Sequence, residues 1–97
     1  MPKYYDFKVA GYVLYYTSFC TVEAFHVHAS DNKLSEAGSG KYFVYKNGDT
    51  KVENHGRISK KNENKIRAFI KEHYKEMYNK WKQGGGKPEY YYKSNQV

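Results

Sequence analysis

Two histidines that stand two residues apart are the strongest candidate for chemistry in this chain. They occur in the run Phe25-His26-Val27-His28-Ala29, in which apolar and imidazole side chains alternate. In an extended strand, successive side chains point to opposite faces of the sheet. His26 and His28 therefore share one face, close enough to act on a single ligand. We expect Phe25, Val27 and Ala29 to face the core and the two histidines to stand on the open face, where a substitution changes stability by no more than about 0.5 kcal/mol.

The pair has three interpretations. As metal ligands, the histidines would need further ligands, and the candidates are His55, His73, Asp31 and Glu23. None of these lies at a spacing diagnostic of zinc. As an acid and a base, the pair would supply the minimum for RNA cleavage without a metal, since histidine titrates near neutrality. The third interpretation is hydrogen bonding within the packing of sheet and helix, and it stays open beside our prediction that His26 and His28 are catalytic, without a metal or cofactor.

Basic residues are concentrated towards the C-terminal part of the chain. The formal net charge is +7, yet in residues 1–56 six lysines balance six acids. Residues 57–82 carry nine Lys or Arg against three Glu, a net charge of +6. A local excess of this kind attracts nucleic acid or an acidic protein, although any single lysine can simply belong to a solvated helix face.

The elements that must position these residues begin with β-strands. Residues 12–17 are rich in β-forming side chains and free of charge, which predicts a central strand covered on both faces. The histidine strand follows at 24–29. Asn47-Gly48, between two strand-like runs, is a strong signal for a hairpin with a two-residue turn.

The register of that hairpin decides which aromatic side chains are exposed. A two-residue turn at Asn47-Gly48 places Phe43 opposite Val52 on the core face, so Tyr42 stands on the open face. Aromatic rings beside lysines form platforms for single-stranded nucleic acid. The predicted nucleic-acid-binding residues are Tyr42, Lys46, Arg57, Lys61 and Lys65.

A long amphipathic helix is predicted over residues 60–82, a stretch with no Gly or Pro that follows the N-cap candidate Ser59. Its apolar stripe is formed by Ile66, Phe69, Ile70, His73, Met77 and Trp81. Glu63 lies on the same stripe, where an apolar residue is expected, which predicts a loosely docked first turn. Three glycines at 84–86 end the helix.

These elements predict an α+β domain of order ββββα, with an antiparallel sheet of about four strands and the helix on one face. We expect residues 1–82 to form the single folded domain. Residues 83–97 are expected to be a flexible tail, the alternative being that they add to a sheet edge.

The sequence resembles a family of small bacterial domains known as domain of unknown function 4160. The resemblance covers roughly residues 2–82. Its elements are the first strand after the opening Met-Pro, the segment His26-Val27-His28-Ala29, the pattern Asn54-x-Gly56-x-x-Ser59 and a helix that ends in Trp81. Members are often encoded beside antitoxins, so the resemblance implies a toxin–antitoxin component, although the family has no settled biochemistry.

The chain departs from the family pattern at two places. The family usually has prolines just before the first histidine, where this chain has Ala24-Phe25. It also commonly has a leucine where this chain has Glu63.

Our prediction from the sequence is a toxin–antitoxin component that binds or cleaves RNA at His26 and His28. The alternative is a non-catalytic module whose basic helix binds an acidic partner such as an antitoxin. Cys20 is the single cysteine, so no internal disulfide can form. No apolar run approaches membrane-spanning length and the start has no signal core, so we expect a cytoplasmic protein without a membrane partner.

Overall fold

The computed structural model describes residues 3–16, 23–31 and 38–91. Its elements are β1 (Val13–Tyr15), β2 (His26–Ser30), β3 (Gly40–Val44), β4 (Thr50–Asn54) and α1 (Lys60–Gln83). The four strands form one antiparallel sheet in the order β1-β2-β3-β4. The predicted ββββα architecture is therefore confirmed.

The core lies between one face of this sheet and α1. The sheet contributes Leu14, Val27, Ala29, Tyr42 and Val44, and the helix contributes Ile66, Ile70, Met77 and Trp81, each with no exposed surface. Burying a large apolar side chain contributes about 1.5–3 kcal/mol, so this interface holds helix and sheet together. It leaves the opposite face of the sheet to the histidines.

The predicted register of the β3–β4 hairpin is wrong by one residue. The backbone N–H of Tyr45 donates to the carbonyl of Asp49 at 2.8 Å, and Gly48 has a φ of 90°. The loop therefore holds three residues, with glycine in the left-handed position that such a loop requires. Because side chains alternate along a strand, a shift of one residue moves each side chain of β3 to the opposite face of the sheet from the predicted one. Tyr42 now points to the helix and Phe43 points away from it.

Strand β1 is covered as predicted, but it lies at the edge of the four-stranded sheet instead of its centre. All three of its residues are buried. The N-terminal segment covers its outer edge, since the Tyr4 N–H donates to the Leu14 carbonyl at 2.9 Å and Lys3 forms a bridge with Tyr15. A short added segment thus satisfies the backbone groups that an edge strand exposes.

The segment 84–91, which follows the helix, lies against the sheet. The Phe25 N–H donates to the Glu89 carbonyl at 2.7 Å, and the Tyr91 N–H donates to the Val44 carbonyl at 2.9 Å. These contacts favour the sheet-edge alternative over a flexible tail for this part of the chain. Residues 92–97 lie outside the described residues, as does Cys20.

Candidate functional site

The predicted catalytic pair alternates along β2 with Val27 and Ala29, whose side chains belong to the core. Register pairs His26 with Phe43, and it pairs His28 with both Tyr15 and Lys41. The two imidazoles contact each other, with ring centroids 5.1 Å apart. The alternation in the sequence therefore placed the two rings side by side.

The histidines are not surface residues, and the expectation of an open face is wrong at this point. His26 has no exposed surface, and His28 is half-buried. The His26 ring lies 5.3 Å from Phe43 and 5.1 Å from Trp81, measured between centroids. His26 is thus enclosed by aromatic rings from the sheet and from the last turn of the helix.

The hydrogen bonding of His26 determines which nitrogen carries its proton. Nδ1 lies 2.8 Å from the carbonyl oxygen of Ala24, and a carbonyl only accepts, so Nδ1–H is the donor. In the neutral ring, Nε2 is then an acceptor. This buried Nε2 has no hydrogen-bond partner in the part of the chain that the structure describes.

Burial also determines the charge of the pair. It lowers the pKa of His26, and together with His26 and Lys41 it lowers the pKa of His28 to about 4. Both shifts favour the neutral ring, which can accept a proton as a general base does.

The two charged side chains beside the histidine pair form an ion pair with each other. Lys41 Nζ donates to Glu23 at 2.8 Å, and this hydrogen bond lowers the pKa of the Glu23 carboxyl. Within residues 3–16, 23–31 and 38–91, no group of three or more His, Cys, Asp or Glu side chains is placed to hold a metal ion.

A second polar cluster, which the sequence interpretation missed, lies where β4 turns into α1. The Glu63 carboxylate is almost fully buried, at 4% exposure. It accepts a hydrogen bond from the Tyr42 hydroxyl at 3.0 Å and lies 2.8 and 2.9 Å from His55 Nδ1. Tyr42 is fully buried, whereas the His55 side chain is 72% exposed. We call Tyr42, Glu63 and His55 the core-to-surface triad.

The triad corrects two expectations. Tyr42 does not lie on an open face for bases to stack on, and burial together with Glu63 raises the pKa of its hydroxyl. Glu63 does not loosen the first helical turn, since it is tied to both Tyr42 and His55. A buried carboxylate needs such donors, because leaving it unpaired in the core costs several kcal/mol.

Local sequence explains how His55 is held. The Asn54 side chain accepts a hydrogen bond from the Gly56 N–H at 2.8 Å. Gly56 has a φ of 58°, and a Cβ there would lie 2.5 Å from the Gly38 carbonyl oxygen. Ser59 caps α1. The pattern Asn54-x-Gly56-x-x-Ser59 is thus a turn with His55 at its variable position. Glu63, an acid on the apolar stripe of the helix, was the one sign in the sequence that a buried polar partner was needed there.

The remaining predicted nucleic-acid-binding residues, Lys46, Arg57, Lys61 and Lys65, are all exposed. Lys61 and Lys65 belong to a row on α1 that continues through Phe69 and His73 at intervals of four residues, which places neighbours one turn apart. The Phe69 and His73 rings stack at 4.2 Å. Two exposed cations are therefore followed on one helix by two stacked rings.

The N-terminal segment extends this aromatic surface. Phe7 is 54% exposed, the one large hydrophobic residue with that degree of exposure among the residues described. Its ring stacks on Tyr5 at 4.9 Å and meets Phe69 edge-on at 5.9 Å. We call Tyr5, Phe7, Phe69 and His73 the aromatic ledge.

The fold and these sites define a small α+β domain with a buried His-x-His strand. The family described as Domain of unknown function (DUF4160) matches residues 11–82, which is most of the chain, and the chain belongs to that family. Neither the curated proteins nor the solved structures contain a significant match to it. Among the residues that the structure describes, no helix is both long enough and apolar enough to cross a membrane.

Proposed function

We propose that the protein binds single-stranded RNA along α1, as an RNA-acting component of the toxin–antitoxin kind that the family resemblance implies. The observation that carries the proposal is the row Lys61, Lys65, Phe69 and His73, in which exposed cations lead into stacked rings. Lysines attract phosphates irrespective of sequence. Aromatic faces stack on unpaired bases and contribute about 1–3 kcal/mol per base.

The charges of the lysines at the start of the row are not neutralised by described acidic residues. Lys71, on another side of the helix, has its charge matched by Asp49 at 2.8 Å. Lys61 and Lys65 form no ion pair with any residue that the structure describes. Arg57, just before the helix, is also exposed. These cations supply the unmatched positive potential expected of a phosphate-binding surface.

The aromatic ledge determines which nucleic acid suits the surface. Phe7 presents its ring to solvent, where a splayed-out base can stack on it. The acid Glu76 borders the ledge and accepts a hydrogen bond from the Tyr5 hydroxyl. Phosphates are therefore expected on the Lys61–Lys65 side and bases over Phe7. Single strands satisfy that division, because duplex bases are already stacked on each other.

Fluorescence anisotropy with a labelled single-stranded RNA, measured at several salt concentrations, tests the proposal. Each neutralised phosphate should add about 0.7 to the slope of log affinity against log salt. K61E/K65E should weaken binding and reduce that slope. F7A should weaken binding at an unchanged slope. K51E, opposite Phe43 in the sheet, is the charge-reversal control for K61E and K65E made singly. Undetectable binding at low salt contradicts the proposal.

A second candidate is a non-catalytic module that uses the same lysines to bind an acidic protein, such as an antitoxin. The enclosure of His26 favours it, because a ring without exposed surface serves packing. The aromatic ledge distinguishes the two candidate functions. An acidic protein partner requires the charges of Lys61 and Lys65, whereas unpaired bases also require the ring of Phe7.

A further inference from the structure

We infer that His55, held by Glu63, is the catalytic base of an RNA-cleaving site at the N-terminal end of α1. The inference rests on the RNA binding proposed above. It assigns the chemistry to the core-to-surface triad instead of to His26 and His28.

The triad has the geometry of an oriented base. Because a carboxylate only accepts, His55 Nδ1–H donates to Glu63 over 2.8 Å. In the neutral ring this leaves the lone pair of Nε2 on the other side of the imidazole. A carboxylate behind a histidine fixes its tautomer and its orientation. It also stabilises the imidazolium that forms when the ring takes a proton.

Glu63 is itself held from the other side. The Tyr42 hydroxyl donates to Oε2 at 3.0 Å from within the core, and Tyr42 is fully buried. The carboxylate therefore cannot swing away from His55 without losing this hydrogen bond. An apolar residue at this position would pack without any need for donors. A buried acid that is tied to one exposed imidazole is the kind of local departure expected at a functional site.

The two histidine sites differ in what a substrate can reach. His55 has 72% of its side chain exposed, so a substrate can contact the ring without any rearrangement. His26 has no exposed surface and uses its Nδ1–H on the Ala24 carbonyl. Of these two rings, only His55 combines access, a fixed orientation and an acidic partner.

The surroundings of His55 suit a phosphodiester. Arg57 follows it by two residues, and Lys60 and Lys61 begin α1, all three of them exposed. These cations attract the RNA backbone and can offset the charge that develops on the phosphoryl oxygens. The turn is tightly packed at this point, because a Cβ at Gly56 would lie 2.5 Å from the Gly38 carbonyl oxygen.

The step is an internal transesterification of RNA. His55 Nε2 takes the proton of a ribose 2′-hydroxyl, and the 2′-oxygen forms a bond to the adjacent phosphorus. The bond between that phosphorus and the 5′-oxygen breaks, and the leaving 5′-oxygen takes a proton from water. The products are a 2′,3′-cyclic phosphate and a 5′-hydroxyl, and the imidazolium returns its proton to water. DNA has no 2′-hydroxyl and is not cleaved.

The test incubates the full chain with a single-stranded RNA oligonucleotide and analyses the ends of the fragments. Wild type should yield 2′,3′-cyclic phosphates and leave the all-deoxy oligonucleotide intact. H55A should cleave about 10²–10⁴-fold more slowly, the usual contribution of a general base, and added imidazole should restore part of the rate. E63Q should lower kcat at unchanged KM, because an amide no longer fixes the tautomer of His55. K51E should cleave like wild type.

The outcomes keep the two proposals apart. RNA that is bound but not cleaved by wild type overturns this inference and leaves the proposed RNA binding standing. The absence of any binding overturns both proposals. Cleavage by H55A at the wild-type rate assigns the reaction to another group. H55A removes a donor from the buried Glu63 carboxylate, so its melting temperature should fall slightly, and all variants are assayed below it. Recovery of the H55A rate by added imidazole then shows that the lost rate reports on chemistry.

Discussion

The histidine strand and the turn at His55 place the same side chain in opposite settings. His26 is enclosed by Phe43 and Trp81, and its pKa is lowered by burial. His55 stands in solvent on a buried carboxylate. The strand gives its histidines precise packing but little access to a substrate, whereas the turn gives access and orientation together. Within this small domain, the more conspicuous motif is therefore the less accessible one.

Replacing His26 is expected to produce the largest effect on stability. H26A empties a fully enclosed site, and large-to-small changes in a core cost about 2–5 kcal/mol. The sequence alone predicted a surface position, where changes stay within about 0.5 kcal/mol. H55A is the comparison, because its ring is exposed and the change removes only its hydrogen bond to Glu63, which contributes about 1 kcal/mol. Equal melting temperatures for H26A and H55A would remove the distinction between the two regions.

Truncation after Lys82 tests whether the folded unit ends there, as the sequence suggested. The Tyr90 ring stacks on Tyr78 at 4.0 Å, and the Phe25 N–H donates to the Glu89 carbonyl at 2.7 Å. Loss of these contacts should lower the free energy of unfolding by about 2–4 kcal/mol, since each hydrogen bond contributes about 1 kcal/mol and the partly buried tyrosine rings add to this.

Truncation after Tyr91 is the control for that experiment, because it keeps the contacts that the segment 84–91 makes with the other described residues. Thermal unfolding of the two truncated chains measures the difference, at about 4–8 °C per kcal/mol. Identical melting temperatures would show that the folded domain ends at residue 82, as the sequence predicted.

Acid should destabilise the protein through the histidine strand. The folded-state pKa of His28 is lowered to about 4, so between that value and the unfolded value of about 6.5 the unfolded chain binds more protons. Stability is therefore present above this window and is lost as the pH falls through it. The loss from His28 should reach about 2 kcal/mol between about pH 7 and about pH 5. Urea unfolding at both pH values measures it. In H28Q the dependence should shrink, and an unchanged dependence would exclude His28 as its source.

The smallest expected effect concerns the hydrogen bond between Tyr42 and Glu63, behind His55. Y42F removes the hydroxyl that donates to Glu63 and should lower stability by about 1 kcal/mol, the usual net contribution of one hydrogen bond. RNA affinity should not change, because Tyr42 is fully buried. Denaturant unfolding and RNA anisotropy on the same variant separate these effects. Weaker RNA binding by a folded Y42F would show that Tyr42 contributes to RNA binding after all.

Much of the fold was open to prediction because it depends on local pattern. The helix stripe from Ile66 to Trp81 follows a period of 3.6 residues, and alternation placed His26 and His28 on one face. The hairpin was located correctly at Asn47-Gly48, but its register was not. Two-residue and three-residue loops both use a glycine with positive φ, and a difference of one residue is enough to invert the faces at Tyr42.

The sequence by itself determined the element order, the apolar stripe and the concentration of charge in residues 57–82, since each depends on neighbours along the chain. Tertiary structure decided which polar groups meet. Tyr42 lies 21 residues from Glu63, and His55 lies eight residues away across a turn, so neither pairing follows from helix or strand period. It also decided burial, because the enclosure of His26 depends on Trp81 at the far end of α1. Contacts between distant parts of the chain arise only when sheet and helix pack, and they separate an accessible histidine from an enclosed one.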